Sequence, residues 1–130
     1  MSGGGRSSRT RKRRLGRDPI LVEARRRLVN DFQPLRIILF GSRAWGRPRR
    51  ESDYDLMVIV RDPDDERALA GRMRVALWGL PAAFDIVVRD RSWWEEWADT
   101  PCSLEDRIAH EGVLIHDADR ETPAARTSLA

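Results

Sequence analysis

Cysteine is almost missing from this sequence: Cys102 stands alone among 130 residues, so no disulfide can close within the chain. Histidine is scarce too. His110 and His116 are too few, and too far from a cysteine, for a zinc site. Cys102 follows Pro101 with no histidine placed to activate it, which argues against a thiol nucleophile. No stretch approaches 18 uninterrupted apolar residues, which excludes a transmembrane helix. The charged N-terminal stretch leads into no apolar run, so no secretory signal is expected. Together these absences point to the cytoplasm. Acidic residues are lacking from residues 1–17, which hold Arg6, Arg9, Arg11, Lys12, Arg13, Arg14 and Arg17. Without those seven, 17 basic groups face 21 acidic ones, so the remainder is about −4 despite a pI near 9.9. The basic character therefore belongs to the tail. Its Gly, Ser and Arg content buries no core, so residues 1–17 are expected to be disordered. Contact with nucleic acid is expected only through that tail, and an ordinary solvated extension explains it equally well.

What is present suits one small domain, with an apolar share of 41%. Asp18 and Pro19 predict a helix start, and Ile20, Ala24 and Leu28 give a helical stripe that ends near Phe32. Leu35 to Phe40 reads as a buried strand ending at Gly41, followed by a helical turn around Ser42 to Trp45. A second strand is expected from Tyr54 to Val60, then a helix from about Asp64 to Trp78 closed by Gly79 and Pro81. Phe84 to Val88 predicts a third strand. Ser92 can cap a short helix from Trp93 to Ala98, and a last helix from Ser103 to Glu111 leads into an edge strand at Val113 to Ile115. Residues 117–130 read as loosely ordered. The order of elements implies an α/β (α+β) domain over residues 18–116, with a small mixed sheet and flanking helices.

The chemistry concentrates in three places. Asp53 and Asp55 stand two apart on a strand, so both side chains leave one face, read as otherwise apolar from Leu56, Val58 and Ile59. Like charges at such positions repel, and a hard divalent cation with oxygen ligands is what offsets them. Asp85 lies within the apolar run Phe84 to Val88, where a carboxylate is otherwise costly. If the two strands are neighbours, three carboxylates converge. Around one or two Mg²⁺ ions they suit phosphoryl transfer. Gly41 permits a tight turn off a buried strand, and Ser42 with the first N–H groups of a helical turn points at an anion. Arg43 and Arg47 lie in the same loop and can balance phosphate charge. Each piece alone is ordinary: Gly-Ser turns are common, Asp-x-Asp often marks only a turn, and Asp85 could be a satisfied buried acid. Their combination and order set the chain apart.

Gly41-Ser42, ten intervening residues and Asp53-Tyr54-Asp55 resemble the signature of the DNA polymerase β-like nucleotidyltransferase superfamily. The longer string GSRAWGRPRRESDYDLMVIV, followed by FDIVV, is similar to its minimal nucleotidyltransferase branch over about residues 18–116. Members of that branch are often antitoxins paired with a HEPN-type ribonuclease toxin, and some transfer AMP from ATP to a tyrosine of that toxin. The resemblance implies that Gly41 and Ser42 hold the triphosphate, with Arg43 at a position basic in many relatives. It implies that Asp53 and Asp55 bind both Mg²⁺ ions and that Asp85 binds the one activating the acceptor hydroxyl. Trp45 stands where relatives frequently carry a smaller or basic residue. Neither histidine is preceded by an arginine at the spacing of a HEPN ribonuclease motif, so a toxin would be a separate chain. Two other functions compete: a non-catalytic antitoxin acting by association, and an aminoglycoside-type enzyme with a small acceptor. The second usually needs another helical domain, for which this length leaves no room. Trp93 and Trp97 share a helical face and are expected in the core, with Trp94 pointing elsewhere.

Overall fold

The computed structural model describes residues 16–45, 53–97, 100–101 and 103–121. Asp18 opens the first helix, α1 (Pro19–Phe32): its Oδ1 accepts the N–H groups of Ile20 at 3.0 Å and Leu21 at 3.3 Å. Pro19 has no N–H to satisfy, which suits it to the first helical position. Gln33 ends the helix in the left-handed region, at φ 49°. The chain continues through β1 (Arg36–Phe40), a single helical turn α2 (Ser42–Trp45) and β2 (Tyr54–Val60). Asp65 caps α3 (Glu66–Ala76), which leads to β3 (Phe84–Asp90) and α4 (Arg91–Trp97). Ser103 caps α5 (Leu104–Glu111), and β4 (Val113–Asp117) passes into a last turn, α6 (Ala118–Glu121).

The strands form one mixed sheet in the order β3-β2-β1-β4. β1 pairs antiparallel with β2 and β4, whereas β2 and β3 run parallel. A parallel neighbour requires a crossover, and α3 provides it. Alternation along the strands sends side chains to two faces. On the first face Ile37, Leu39, Leu56 and Val58 pack with Leu28 of α1 and Met73 of α3. On the second, Ile38, Met57 and Ile59 meet Trp94 of α4 and Ile108 of α5. Each fully buried aliphatic side chain contributes roughly 1.5–3 kcal/mol, so both helical layers are held mainly by apolar contact. The expected α/β domain with a small mixed sheet is what forms.

Three local expectations are corrected. Trp94 is buried against the sheet, whereas Trp93 is exposed and its ring lies tilted against that of half-buried Trp97, with centroids 5.3 Å apart. The two do share a helical face, but α4 leaves β3 in a phase that turns that face outward. Ser92 is not the cap. The helix begins at Arg91, two residues before the expected Trp93, and the Asp90 carboxylate accepts both the Ser92 hydroxyl and, at 3.1 Å, its N–H. Asp117 is ordered and buried at the end of β4, where its carboxylate lies 3.9 Å from Arg36. Residues 118–121 add a helical turn beyond it. Most of the basic tail, together with Arg47 and Cys102, lies outside the described residues.

Candidate nucleotide and metal site

The parallel pairing of β2 and β3 places Asp55 directly opposite Asp85. Asp55 points to the second face together with Met57 and Ile59; Leu56 and Val58 belong to the other face. Asp55 is half-buried, and burial, then the charge of Asp85, then that of Asp53 push its carboxyl above the usual range. Asp53 stands just ahead of β2 and is exposed. Asp85 is exposed as well, so the expected burial of a carboxylate inside an apolar strand does not arise. It occupies the second position of β3, the outer strand of the sheet, where water reaches one side.

The other half of the site comes from the end of β1. Phe40 is the register partner of Asp55, so the chain leaves β1 beside that carboxylate. Gly41 then turns at φ +77°, and a Cβ at this position would lie 2.1 Å from Asp55 Oδ2. Only glycine allows this turn and this approach together. Ser42 begins the turn α2 and is exposed. Arg43 lies with its guanidinium carbon 4.0 Å from the centre of the Tyr54 ring. The structure thus brings Gly41 onto Asp55, sets Asp55 opposite Asp85, and holds Arg43 against the residue between the two strand aspartates.

Sequence reading missed two residues of this neighbourhood. Tyr54 is buried, its ring stacks on Phe84 at 5.2 Å, and its hydroxyl donates to Asp18 Oδ2 at 2.5 Å. Burial first, and then the Asp18 carboxylate, push its phenol up to about 12. A tyrosine inside a strand signals that its hydroxyl needs a partner. Nothing in the sequence identifies that partner as a residue 36 positions earlier.

Carboxylate oxygens are the donor set a hard divalent cation prefers, and the missing Cβ at position 41 leaves room for the Asp55 carboxylate itself. The residues therefore fit Mg²⁺ by chemistry. Among the described residues, however, no three acidic, histidine or cysteine side chains form a ready-made metal cluster. Also among the described residues, no helix is long and apolar enough to cross a membrane.

Residues 21–114 match the Nucleotidyltransferase domain family. Comparison with curated proteins finds no match. Among solved structures, the fold is similar to that of a provisionally assigned nucleotidyltransferase from Sulfolobus solfataricus. That match has a TM-score of 0.56 and 20% identity, and covers 92% of this chain and 96% of the other. At that identity the likeness speaks for the fold, and the family match, which spans most of the chain, speaks for descent: the chain belongs to the Nucleotidyltransferase domain family.

Proposed function

We propose that this protein is a Mg²⁺-dependent enzyme that transfers AMP from ATP to a hydroxyl, expected to be a tyrosine, of a separate protein. In that step the α–β phosphoanhydride bond is broken and pyrophosphate is released. The observation that carries this reading is the register of Asp55 against Asp85, with Gly41 packed on the Asp55 carboxylate. Asp53, Asp55 and Asp85 would hold the metal, which when bound neutralises triphosphate charge and makes the acceptor hydroxyl a better nucleophile. Gly41 admits the triphosphate close to the backbone, Ser42 offers a hydroxyl at the start of α2, and Arg43 supplies positive charge. The charge of Asp85 and Asp53 beside Asp55 is what a cation held there would offset. By the resemblance of the motif string, the acceptor protein is a HEPN-type toxin, and the modification would disarm it.

The test is incubation with ATP labelled at the α-phosphate, Mg²⁺ and a HEPN-type protein encoded beside this one. Label is expected on the partner, and it should vanish with Asp53→Asn or Asp85→Asn. Equal labelling by wild type and both variants would sink the reading. The exposed Trp93, in contact with Trp97, favours a second one in which the protein silences its partner by association alone. Full protection of cells by an Asp53→Asn/Asp55→Asn double variant would establish that alternative.

A further inference from the structure

Resting on the nucleotide-binding reading above, we propose that Asp18 and Tyr54 are positioning residues for that site: Asp18 fixes the Tyr54 ring, and the ring fixes Arg43. The contacts on Tyr54 exceed what filling a core requires. A leucine would pack there with no hydroxyl to satisfy. Instead the phenol donates 2.5 Å to Asp18 and the ring stacks on Phe84. The ring also carries the Arg43 guanidinium at 4.0 Å.

Asp18 is likewise more than a cap. Its Oδ1 serves the helix N–H groups, a task that asparagine performs equally well, while Oδ2 takes the tyrosine hydroxyl. The start of α1 is thereby tied to the residue that lies between Asp53 and Asp55. Pinning Tyr54 on one face of β2 sends Asp55 to the other by alternation. A guanidinium held over an aromatic face is restricted in where its positive charge can stand, and that charge attracts an anion. An arginine held in advance also loses less side-chain freedom on binding than one that must be ordered by the ligand. Asp18, Tyr54 and Arg43 therefore link the first helix, the carboxylate strand and the Gly41-Ser42 loop into one unit.

The experiment measures Mg²⁺–ATP affinity of the full chain by calorimetry, with thermal melts as the check on folding. Asp18→Asn keeps the cap, Tyr54→Phe keeps the ring, and Tyr54→Leu removes it. Tyr54→Leu should weaken binding about 5–10-fold, between the values of an exposed and a desolvated cation–π contact. Tyr54→Phe should weaken it about 2–5-fold and Asp18→Asn by no more, since its amide can still donate to the phenol oxygen. Combining them should bring no further loss, because both act on one contact. In an Arg43→Gln background none of the three should matter, which a merely structural role of Tyr54 would not produce. Wild-type affinity in folded Tyr54→Phe and Asp18→Asn, or losses that add in full to that of Arg43→Gln, overturns the proposal. Failure of the wild type to bind Mg²⁺–ATP, or wild-type binding by Asp55→Asn, brings down the nucleotide reading and this proposal with it.

Discussion

A methyl group at position 41 would meet Asp55 Oδ2 at 2.1 Å, on a backbone turned to φ +77°. Gly41→Ala is therefore expected to destabilise the fold by about 1–3 kcal/mol, since strain and collision act together. Urea denaturation measures this, and an unchanged midpoint would show that the loop relaxes freely. Tyr54 offers a cleaner probe because it is the sole tyrosine. Burial and the Asp18 carboxylate raise its phenol from 10.0 to about 12, so the folded state favours the neutral form. The stabilising contribution is thus complete below pH 10 and is lost as pH rises through 12. The phenolate absorbance should titrate near 12 in the native protein and about two units lower in denaturant. Asp18→Asn should move the native midpoint downward. A native midpoint at the denatured value would mean that the tyrosine is not buried against the carboxylate. Of these contacts, the sequence shows the residue types but not the pairing. Asp18 is legible as a helix cap from Pro19 beside it, whereas its second oxygen finds Tyr54 only in the folded chain.

Among the elements, α4 shows where periodicity reaches its limit. Three tryptophans in five positions identify a helix with an aromatic side, and Trp93 and Trp97 do lie together. Which side faces the sheet depends on how the chain leaves β3, and Asp90 starts the helix early by holding Ser92. The buried residue is Trp94. Trp94→Ala should destabilise by about 3–5 kcal/mol, as for large aromatic deletions in a core. Trp93→Ala, on the open side, should stay within about 0.5 kcal/mol of wild type. Thermal melts of the two variants decide between the faces, and the reverse ranking would restore the packing expected from sequence. The other helices were readable because capping chemistry is local. Asp18, Asp65 and Ser103 each accept N–H groups two or three residues ahead. Helix phase against a sheet has no such local cause.

For the molecule as a whole, the cost of the proposed site is electrostatic. Asp55 sits half-buried opposite Asp85 and near Asp53, and no described side chain completes a metal cluster there. Asp85→Asn should therefore leave the metal-free protein as stable as wild type, or more stable by a few tenths of a kcal/mol, while abolishing transfer. Equilibrium denaturation and the labelling assay on one preparation test both halves; a clear loss of stability would mean that Asp85 serves the fold. Mg²⁺–ATP should raise the melting temperature of wild type and not of Asp55→Asn, because a ligand stabilises only the state that binds it. Gly41-Ser42, Asp53, Asp55 and Asp85 are visible in the bare sequence because glycine turns, strand alternation and helix caps are decided within a few residues. That the Asp55 and Asp85 strands lie side by side was decided by the crossover of α3, which buries apolar faces far apart in sequence. The same tertiary packing laid Gly41 on Asp55 and brought Asp18, Tyr54 and Arg43 together. Contacts of that kind follow from how whole layers cover each other, and no local pattern encodes them.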